Sequence, residues 1–283
     1  MASAPMASSQ DAIKKVEELV AREKQVLFRE GNKPDGAILT VNLPYAKVMD
    51  DDLKYIGQIK TLIGLSIPNT DVGDAGLAHL AGHKKLMHLF LFATPVTNAG
   101  LKSLADLPNI RSLSLRRTKV TDEGIKHLSN LTTLDSLDLK ETEITGSCFK
   151  GMNLKSLVVL ELDATKFNDE GAKNLAKFTT IGRLQLPGTK ITDAGLKSLA
   201  EITGLYSLDL TGTAITDAGV KELAALPNLR HLMLGGTNVT EAVLAVLPTF
   251  KQLGHVTVPK SFSQEAIKKA RKANPRPVLV RAM

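Results

Sequence analysis

Aromatic residues and cysteine are scarce in this chain. Of its 283 residues, 4% are aromatic, none is tryptophan, and Cys148 is the only cysteine. A single cysteine cannot form an internal disulfide bond or supply a four-cysteine metal site. The low aromatic content favours a core built from thin layers of aliphatic side chains over one large globular core. No run of 18 or more apolar residues is present, which excludes a transmembrane helix.

Motifs typical of the common enzyme classes are also missing. The sequence has no G-x-x-x-x-G-K-[ST], H-E-x-x-H, G-x-S-x-G or paired C-x-x-C motif. Cys148 is interpreted as a buried substitute for a glycine rather than as a nucleophile, because no histidine is positioned beside it. We therefore predict that the chain is not an enzyme, and we expect neither a cofactor nor a bound metal.

Little in the sequence indicates a cellular compartment. The first ten residues, MASAPMASSQ, contain no apolar segment, so they do not predict a secretory signal peptide. This and the single cysteine favour a cytoplasmic location, or an extracytoplasmic one if a signal peptide has been removed. The net charge of +7 favours acidic partners, but the basic residues are dispersed and do not by themselves indicate nucleic-acid binding.

What the chain does contain is an internal repeat. A threonine recurs every 24 residues, with one step of 23, at Thr70, Thr94, Thr118, Thr142, Thr165, Thr189, Thr213 and Thr237. Before most of these threonines stands the pattern L-x-x-L-x-L, and after most of them come a β-branched residue or phenylalanine, Asp-x-Gly and further leucines, as in TKITDAGLKSLA at residues 189–200. A fixed period of this length is the signature of a repeat architecture.

Each repeat is predicted to form one strand and one helix. The leucines before the threonine alternate with period two, whereas the apolar positions after it recur at helical spacing. A strand-helix repeat of this size cannot bury its own apolar side, so the repeats must stack on one another. The pattern runs from Ile38 to Val258 and predicts an α/β fold with about ten parallel strands.

These motifs resemble the leucine-rich repeat family, in the variant found in ribonuclease-inhibitor-like and F-box-associated proteins. The chain looks most like bacterial proteins with tandem T-x-[VI]-T-D-A-G-L-x-x-L-A repeats, and the resemblance covers residues 38–258. It implies a right-handed solenoid curved into a horseshoe arc, with the strands on the concave face and the helices on the convex face. Threonine replaces the asparagine of the family consensus, and no F-box segment precedes the repeats, so a ubiquitin-ligase role is not carried over.

The ends of the repeat array are predicted to carry caps. We assign residues 1–9 to a disordered tail, 10–31 to an N-terminal capping helix, 32–259 to the repeat array and 260–283 to a C-terminal cap. In the C-terminal cap, Ser263 is expected to begin a helix that Pro275 and Pro277 end, and residues 278–280 are expected to add a short strand.

An aspartate recurs four residues after the repeat threonine, and its position suits either of two functions. The set comprises Asp74, Asp122, Asp169, Asp193 and Asp217, together with Asp50 at the equivalent position of the degenerate first repeat, where Ala46 replaces the threonine. Repeated carboxylates invite a catalytic or calcium-binding interpretation. A Thr-Asp pair at the start of a helix is, however, what the unpaired backbone N–H groups there prefer, so we expect helix capping instead.

Two groups of histidines are interpreted as structural or as part of a binding surface. His79 and His83 have the spacing of a helical metal pair, but His88 is expected on the outward face of a strand, so the three should not converge. His231 and His255 hold the same strand position in adjacent repeats and could be lateral neighbours. A third ligand for a metal is not evident there.

Variable strand positions carry the predicted binding surface. Residues that flank the buried strand leucines point away from the core and differ strongly between repeats. The predicted partner-binding residues are Met87, His88, Phe90, Phe92, Arg111, Arg116, Arg117, Asp138, Glu161, Asp163, Arg183, Tyr206, Asp209, Arg230, His231 and Met233. They form an apolar zone around Phe90, an arginine zone and an acidic zone. The charges could instead pair with each other across adjacent strands.

These observations lead to one functional hypothesis and one alternative. The first is a monomeric, non-enzymatic scaffold that binds a protein on the concave face, without nucleic acid as a partner. The alternative is an electrostatic adaptor for nucleic acid or an anionic surface, which would use a basic ridge on the convex side. That ridge is formed by Lys102, Lys126, Lys150, Lys173, Lys197 and Lys221. Its simpler explanation is that lysine is a good helix former that repeat duplication copies.

Overall fold

The computed structural model describes residues 9–32, 36–273 and 278–283. The chain divides into two compact units, an N-terminal unit of Met1–Leu134 and a C-terminal unit of Asp135–Met283. Both units are built from parallel strands that alternate with helical segments, which confirms the predicted α/β repeat fold. Four strands of the N-terminal unit and six of the C-terminal unit lie between residues 38 and 258, so the predicted count of about ten is confirmed.

In the N-terminal unit, five strands pair in chain order. The strands are β1 (Val26–Arg29), β2 (Ile38–Asn42), β3 (Gly64–Ser66), β4 (His88–Phe90) and β5 (Ser112–Ser114). The helices are α1 (Ser9–Arg22), α2 (Asp50–Ile56), α3 (Asp74–Leu77), α4 (Asn98–Leu101) and α5 (Asp122–Ile125), and α3, α4 and α5 each continue into a 3-10 turn. Strand β1 runs antiparallel to β2, whereas β2 to β5 are parallel.

In the C-terminal unit, seven strands pair in chain order and all are parallel. The strands are β6 (Ser136–Asp138), β7 (Val159–Glu161), β8 (Arg183–Gln185), β9 (Ser207–Asp209), β10 (His231–Met233), β11 (His255–Val258) and β12 (Leu279–Ala282). The α-helices are α6 (Asp169–Leu175), α7 (Asp193–Leu199), α8 (Asp217–Glu222) and α9 (Gln264–Ala273). The helical segment that precedes β11 consists of 3-10 turns, Glu241–Ala245 and Leu247–Thr249.

The core of each unit lies between its strands and its helices. The middle residue of each three-residue strand faces the helices and is at most 2% exposed, as Leu89, Leu184 and Leu232 illustrate. Parallel register places these residues side by side, so that Leu184 lies next to Leu208 and Leu208 next to Leu232. The layers of aliphatic side chains that the sequence predicts are therefore present, and they account for the small number of aromatic residues.

The repeat threonine has a structural role inside the core. Seven of the eight are 4–6% exposed, and Thr237 is partly buried. Each hydroxyl donates a hydrogen bond of 2.6–2.9 Å to the carbonyl three residues earlier, as Thr189 does to Leu186. In six of the eight repeats the same carbonyl also accepts a hydrogen bond of 3.2–3.4 Å from the backbone N–H of the threonine. The bond gives the buried hydroxyl a partner, which explains why a polar residue can recur in the core.

The N-terminal helix is shorter than predicted. Helix α1 ends at Arg22, and β1 occupies residues that the sequence analysis assigned to the helix. Lys24 adopts a φ of 53°, and the N–H of Gln25 donates to the carbonyl of Val20 at 3.0 Å, which terminates the helix. The strand then pairs with β2 and covers its edge. Of the predicted tail, residues 1–8 lie outside the described residues.

The C-terminal predictions agree with the structure where it describes them. Helix α9 begins after Ser263, whose Oγ accepts a hydrogen bond of 3.2 Å from the N–H of Ala266. The expected terminal strand is β12, which pairs with β11. Pro275 and Pro277, expected to end the helix, lie outside the described residues.

The one 23-residue step alters a single repeat. Its helical segment is reduced to a 3-10 turn, Ser147–Phe149, preceded by Gly146 with a φ of 93°. Phe149 replaces the leucine of the other repeats, is fully buried and packs edge-on against Phe178 at 6.1 Å between ring centroids. Cys148 is also fully buried, in the place where most repeats have glycine, as predicted. A larger side chain thus fills the space that the missing helical turn leaves.

Candidate functional site

The strands of both units present a second face, opposite the core. We call the side chains on this face, together with those of the turns that follow the strands, the strand surface. In β4, for example, Leu89 is buried while His88 is half-buried and Phe90 is 40% exposed. Packing therefore restricts the buried strand positions to apolar residues, whereas the residue types on the strand surface can differ from repeat to repeat.

In the N-terminal unit, the predicted apolar and arginine zones form one cluster. The guanidinium carbon of Arg116 lies 5.0 Å from the centroid of the Phe92 ring, and that of Arg117 lies 5.9 Å from it. Both distances are within the range of a cation-π contact. Phe92 and Met87 are half-buried, whereas Phe90 and Arg111 are exposed. The cluster combines aromatic and arginine side chains, which are enriched at protein interfaces.

The acidic zone lies in the C-terminal unit, where part of its charge is neutralised. Lys140 Nζ is 3.2 Å from Glu161 Oε1 and 4.0 Å from Asp163 Oδ2. Asp138 accepts a hydrogen bond of 3.1 Å from the backbone N–H of Lys140. Charge pairing between neighbouring repeats, which the sequence left as an alternative, is therefore present for Lys140, Glu161 and Asp163. Lys140 was not among the predicted partner-binding residues, and it supplies the positive charge of this zone.

Asp163 is a half-buried carboxyl of the acidic zone. Burial raises its pKa, and the positive charge of Lys140 offsets only part of that effect. Its Oδ2 atom is buried and has no hydrogen-bond partner among the described residues. Asp163 therefore ionises less readily than a solvated aspartate.

The remaining predicted residues lie on β8 to β10 and just before these strands. Arg183, Tyr206, Arg230 and His231 are exposed, and Met233 is half-buried. Asp209 is less available than predicted, because its Oδ1 accepts hydrogen bonds from the N–H and the hydroxyl of Thr211, at 2.9 and 2.6 Å. His231 and His255 are register partners with ring centroids 6.1 Å apart, so the predicted lateral pair is confirmed.

The repeated Thr-Asp pair serves two separate purposes. The threonine caps its own helix, as Thr216 does by accepting a hydrogen bond from the N–H of Ala218 at 3.2 Å. The aspartate instead binds the next repeat. Asp193 accepts hydrogen bonds from the N–H and the hydroxyl of Thr216, at 2.8 and 2.6 Å, and Asp169 does the same with Thr192. The prediction of helix capping is therefore correct for the threonine. It is wrong for the aspartate side chain, which accepts its hydrogen bonds from the next repeat.

This arrangement accounts for both carboxylate oxygens and for the glycine of the Asp-x-Gly motif in the following repeat. In Asp74, Asp169, Asp193 and Asp217, both oxygens accept hydrogen bonds from the following repeat. A Cβ atom added to Gly219 would lie 2.2 Å from Asp193 Oδ1, so only glycine allows the aspartate to approach. These carboxylates hold repeats together rather than forming a row of catalytic or calcium-binding sites.

The first histidine group does not converge. His83 is buried and its Nε2 lies 3.0 Å from the carbonyl oxygen of Ile59, one repeat earlier. His79 is exposed on a 3-10 turn and His88 lies on β4. Within residues 9–32, 36–273 and 278–283, no group of three or more His, Cys, Asp or Glu residues could hold a metal ion.

The six ridge lysines are all exposed, and they lie on the helical side of the units, two in the N-terminal unit and four in the C-terminal unit. Lys126 Nζ is 2.5 Å from Glu123, and Lys173 Nζ is 3.9 Å from Glu170. Acidic residues of the same helical segments thus neutralise part of this ridge. Among the described helices, none is long and apolar enough to cross a membrane.

Comparisons with known proteins support the fold. A family model described as "Leucine Rich repeat" matches residues 106–129 and 205–224. Internalin C2 from Listeria monocytogenes matches with 21% identity and a TM-score of 0.57, over 90% of this chain and 100% of the internalin chain. A second internalin from that organism matches with 14% identity and a TM-score of 0.45, over 91% and 95%. No curated protein sequence matches the chain. At this identity, the likeness to internalin C2 is evidence for the fold alone.

Proposed function

We propose that the chain is a leucine-rich repeat protein and acts as a non-enzymatic, monomeric scaffold that binds a partner protein through its strand surface. The observation that carries this proposal is Phe90, a large apolar side chain that is 40% exposed between two buried strand leucines. An exposed aromatic residue on a rigid strand costs solvation free energy and loses no conformational freedom when a partner covers it. Such residues are typical anchors of protein interfaces.

Three further features support the strand surface over the rest of the repeat. Arg116 and Arg117 contact Phe92 and extend the apolar patch with cationic groups. Tyr206 gives the C-terminal unit a second exposed aromatic side chain, 41% exposed. The aspartates of the repeat motif are engaged in holding repeats together, which leaves the varied strand positions as the source of specificity.

The exposed lysine ridge favours a second candidate function, an electrostatic adaptor for an anionic surface or nucleic acid. Binding through such a ridge would weaken steeply as the salt concentration rises, because each neutralised phosphate releases counterions. Binding anchored by Phe90 would depend little on salt. A salt dependence that Lys102→Ala and Lys197→Ala reduce would therefore indicate the adaptor.

Affinity capture from the native source, read by mass spectrometry, tests the proposal. The unmodified chain is compared with Phe90→Ala and Tyr206→Ala, and Lys102→Ala and Lys197→Ala serve as controls from the exposed ridge. We expect a protein partner that both control variants retain and that at least one strand-surface variant loses. A partner lost only with the lysine variants, or nucleic acid as the retained material, would instead support the adaptor.

A further inference from the structure

A row of one arginine, one serine and two histidines crosses four strands of the C-terminal unit. The parallel register places Arg183 of β8 next to Ser207 of β9, Ser207 next to His231 of β10, and His231 next to His255 of β11. Neighbouring strands are about 4.8 Å apart, so these four positions lie within one short stretch of the strand surface. Serine is the small member of the row, and its position between Arg183 and His231 leaves a depression.

This depression is a pocket of about 470 Å³. The row of four residues lines it, together with Tyr206, Met233, Thr257 and Met283. The Tyr206 ring packs against the backbone of Gly182, where an added Cβ atom would lie 2.4 Å from Cε1 of the ring. The ring is thus held in place at the rim of the pocket, with its hydroxyl available to a ligand. The two methionines supply adaptable apolar walls.

Two arginines lie in or beside the pocket. Arg183 directs its guanidinium at the neutral amide of Gln185, whose oxygen, in the orientation that satisfies both groups, accepts from Nε at 2.9 Å. Arg281 of β12 is the register neighbour of Thr257. Burial, followed by the nearby Arg281 and His231, lowers the pKa of His255. Neither arginine forms an ion pair with a carboxylate within the described part of the chain. The acidic residue of the adjacent row, Asp209, is engaged by Thr211.

We propose that this pocket binds the carboxylate side chains of an acidic segment of the partner protein. The inference rests on the proposed function and specifies the chemistry of the partner at this end of the strand surface. An arginine guanidinium matches a carboxylate with two parallel hydrogen bonds, and the Tyr206 hydroxyl and the imidazoles of His231 and His255 offer further donors. Met233 and Met283 contact the methylene groups of a glutamate side chain. An acidic ligand also supplies the negative charge that the surroundings of Arg183 and Arg281 lack.

Synthetic peptides test the proposal directly. The probe is a fluorescein-labelled peptide of alternating glutamate and glycine with an amidated C-terminus, titrated with the full chain at low salt. Its glutamine counterpart is the uncharged control, and a glutamine peptide with a free C-terminus tests whether a terminal carboxylate suffices. We expect the glutamate peptide to bind at least about tenfold more tightly than both glutamine peptides, since a charge-assisted hydrogen bond contributes about that factor.

Matched variants locate the binding. Arg183→Ala and Lys197→Ala each remove one exposed positive charge, the first at the pocket and the second on the helical side. We expect Arg183→Ala and His231→Gln to weaken glutamate-peptide binding about tenfold and Lys197→Ala to change it less than about twofold. Equal binding of glutamate and glutamine peptides, or an equal loss with Lys197→Ala, overturns the proposal.

The peptide experiment and the partner-capture experiment can fail independently of each other. If Phe90→Ala abolishes partner capture while the acidic peptide binds no better than its glutamine counterpart, the strand-surface scaffold stands and the pocket proposal falls. If the peptide binds in the pocket but no partner depends on Phe90 or Tyr206, the pocket stands and the scaffold proposal falls. Tighter binding of the glutamine peptide with a free C-terminus than of the glutamate peptide also overturns the pocket proposal, in favour of terminal-carboxylate recognition.

Discussion

At the scale of single residues, the polar side chains of the repeat motif form hydrogen bonds that stabilise the fold. The buried repeat threonine pairs a carbonyl, the second threonine caps a helix, and the aspartate joins one repeat to the next, as in the pair Asp193 and Thr216. A sequence pattern fixes residue types at each position, but the partner of a side chain one repeat away follows only once the repeats are stacked. For this reason the motif was recognised as structural while the role of its aspartate was not predicted.

The first prediction concerns the link between repeats. Asp193→Ala removes two hydrogen bonds to Thr216 and leaves the donors partly buried, so we expect the free energy of unfolding to fall by about 1–3 kcal/mol. Asp193→Asn should cost less, because Asn98 bridges to Thr121 in the N-terminal unit with hydrogen bonds of 2.8 and 2.9 Å. Urea unfolding followed by circular dichroism measures both variants, with the exposed Glu201→Ala as the control. A loss for Asp193→Ala no larger than for Glu201→Ala would rule out this role.

The second prediction concerns Asp163. Its pKa lies above the ordinary value of 3.8 because the carboxyl is buried, and Lys140 counteracts that rise. Lys140→Met should therefore raise the pKa further, which NMR titration of the side-chain carboxyl detects. Since a raised folded-state pKa favours the protonated form, the contribution of Asp163 to stability is present below pH 3.8 and is lost as the pH rises through the folded-state pKa. A pKa at or below 3.8, or one that Lys140→Met lowers, would refute this explanation.

At the scale of elements, the sequence predicted the repeats better than their ends. The 24-residue period specified the strands, their register and the buried leucines, because each repeat meets the same neighbours. The segment Val26–Arg29 lies outside that period, and its apolar residues are compatible with either a helix or a strand. It forms a strand because it pairs with β2. The pocket lined by Ser207 and Met283 was likewise missed. Extending the 24-residue spacing from Thr257 to Arg281 could have indicated part of it.

The third prediction concerns the turn that precedes the repeat threonine. The residue there adopts a positive φ in repeat after repeat, with glycine at Gly188, Gly212 and Gly236 but alanine at Ala93 and Ala164, where φ is 53° and 54°. A non-glycine residue in this conformation is strained by about 1 kcal/mol. Ala164→Gly should therefore stabilise the chain by up to about 1 kcal/mol in thermal or urea unfolding.

A matched control separates this effect from a general response to glycine. Ala194→Gly introduces the same change in the first turn of α7, where it should destabilise by about 0.5–1 kcal/mol. If both substitutions destabilise equally, the positive φ at residue 164 carries no strain and the explanation is wrong.

At the scale of the whole chain, each repeat uses one set of positions to maintain the fold and another set to form the strand surface. Leucines, threonines and aspartates recur and hold each unit together, while the strand surface changes from an aromatic and arginine cluster in the N-terminal unit to acidic and basic zones in the C-terminal unit. The net charge of +7 agrees with an acidic partner but does not locate it. The positions that vary are therefore the ones that can encode partner choice.

The central claim, that the strand surface binds the partner, is tested most directly by the affinity of the chain for a purified captured partner. The double variant Phe90→Ala with Tyr206→Ala is compared with Lys102→Ala with Lys197→Ala, using calorimetry at low and high salt. We expect the first pair to weaken binding at least about tenfold at both salt concentrations, as loss of interface anchors does, and the second pair to leave it nearly unchanged. Unchanged binding by the aromatic variant, with loss confined to the lysine variant and to high salt, would contradict the claim.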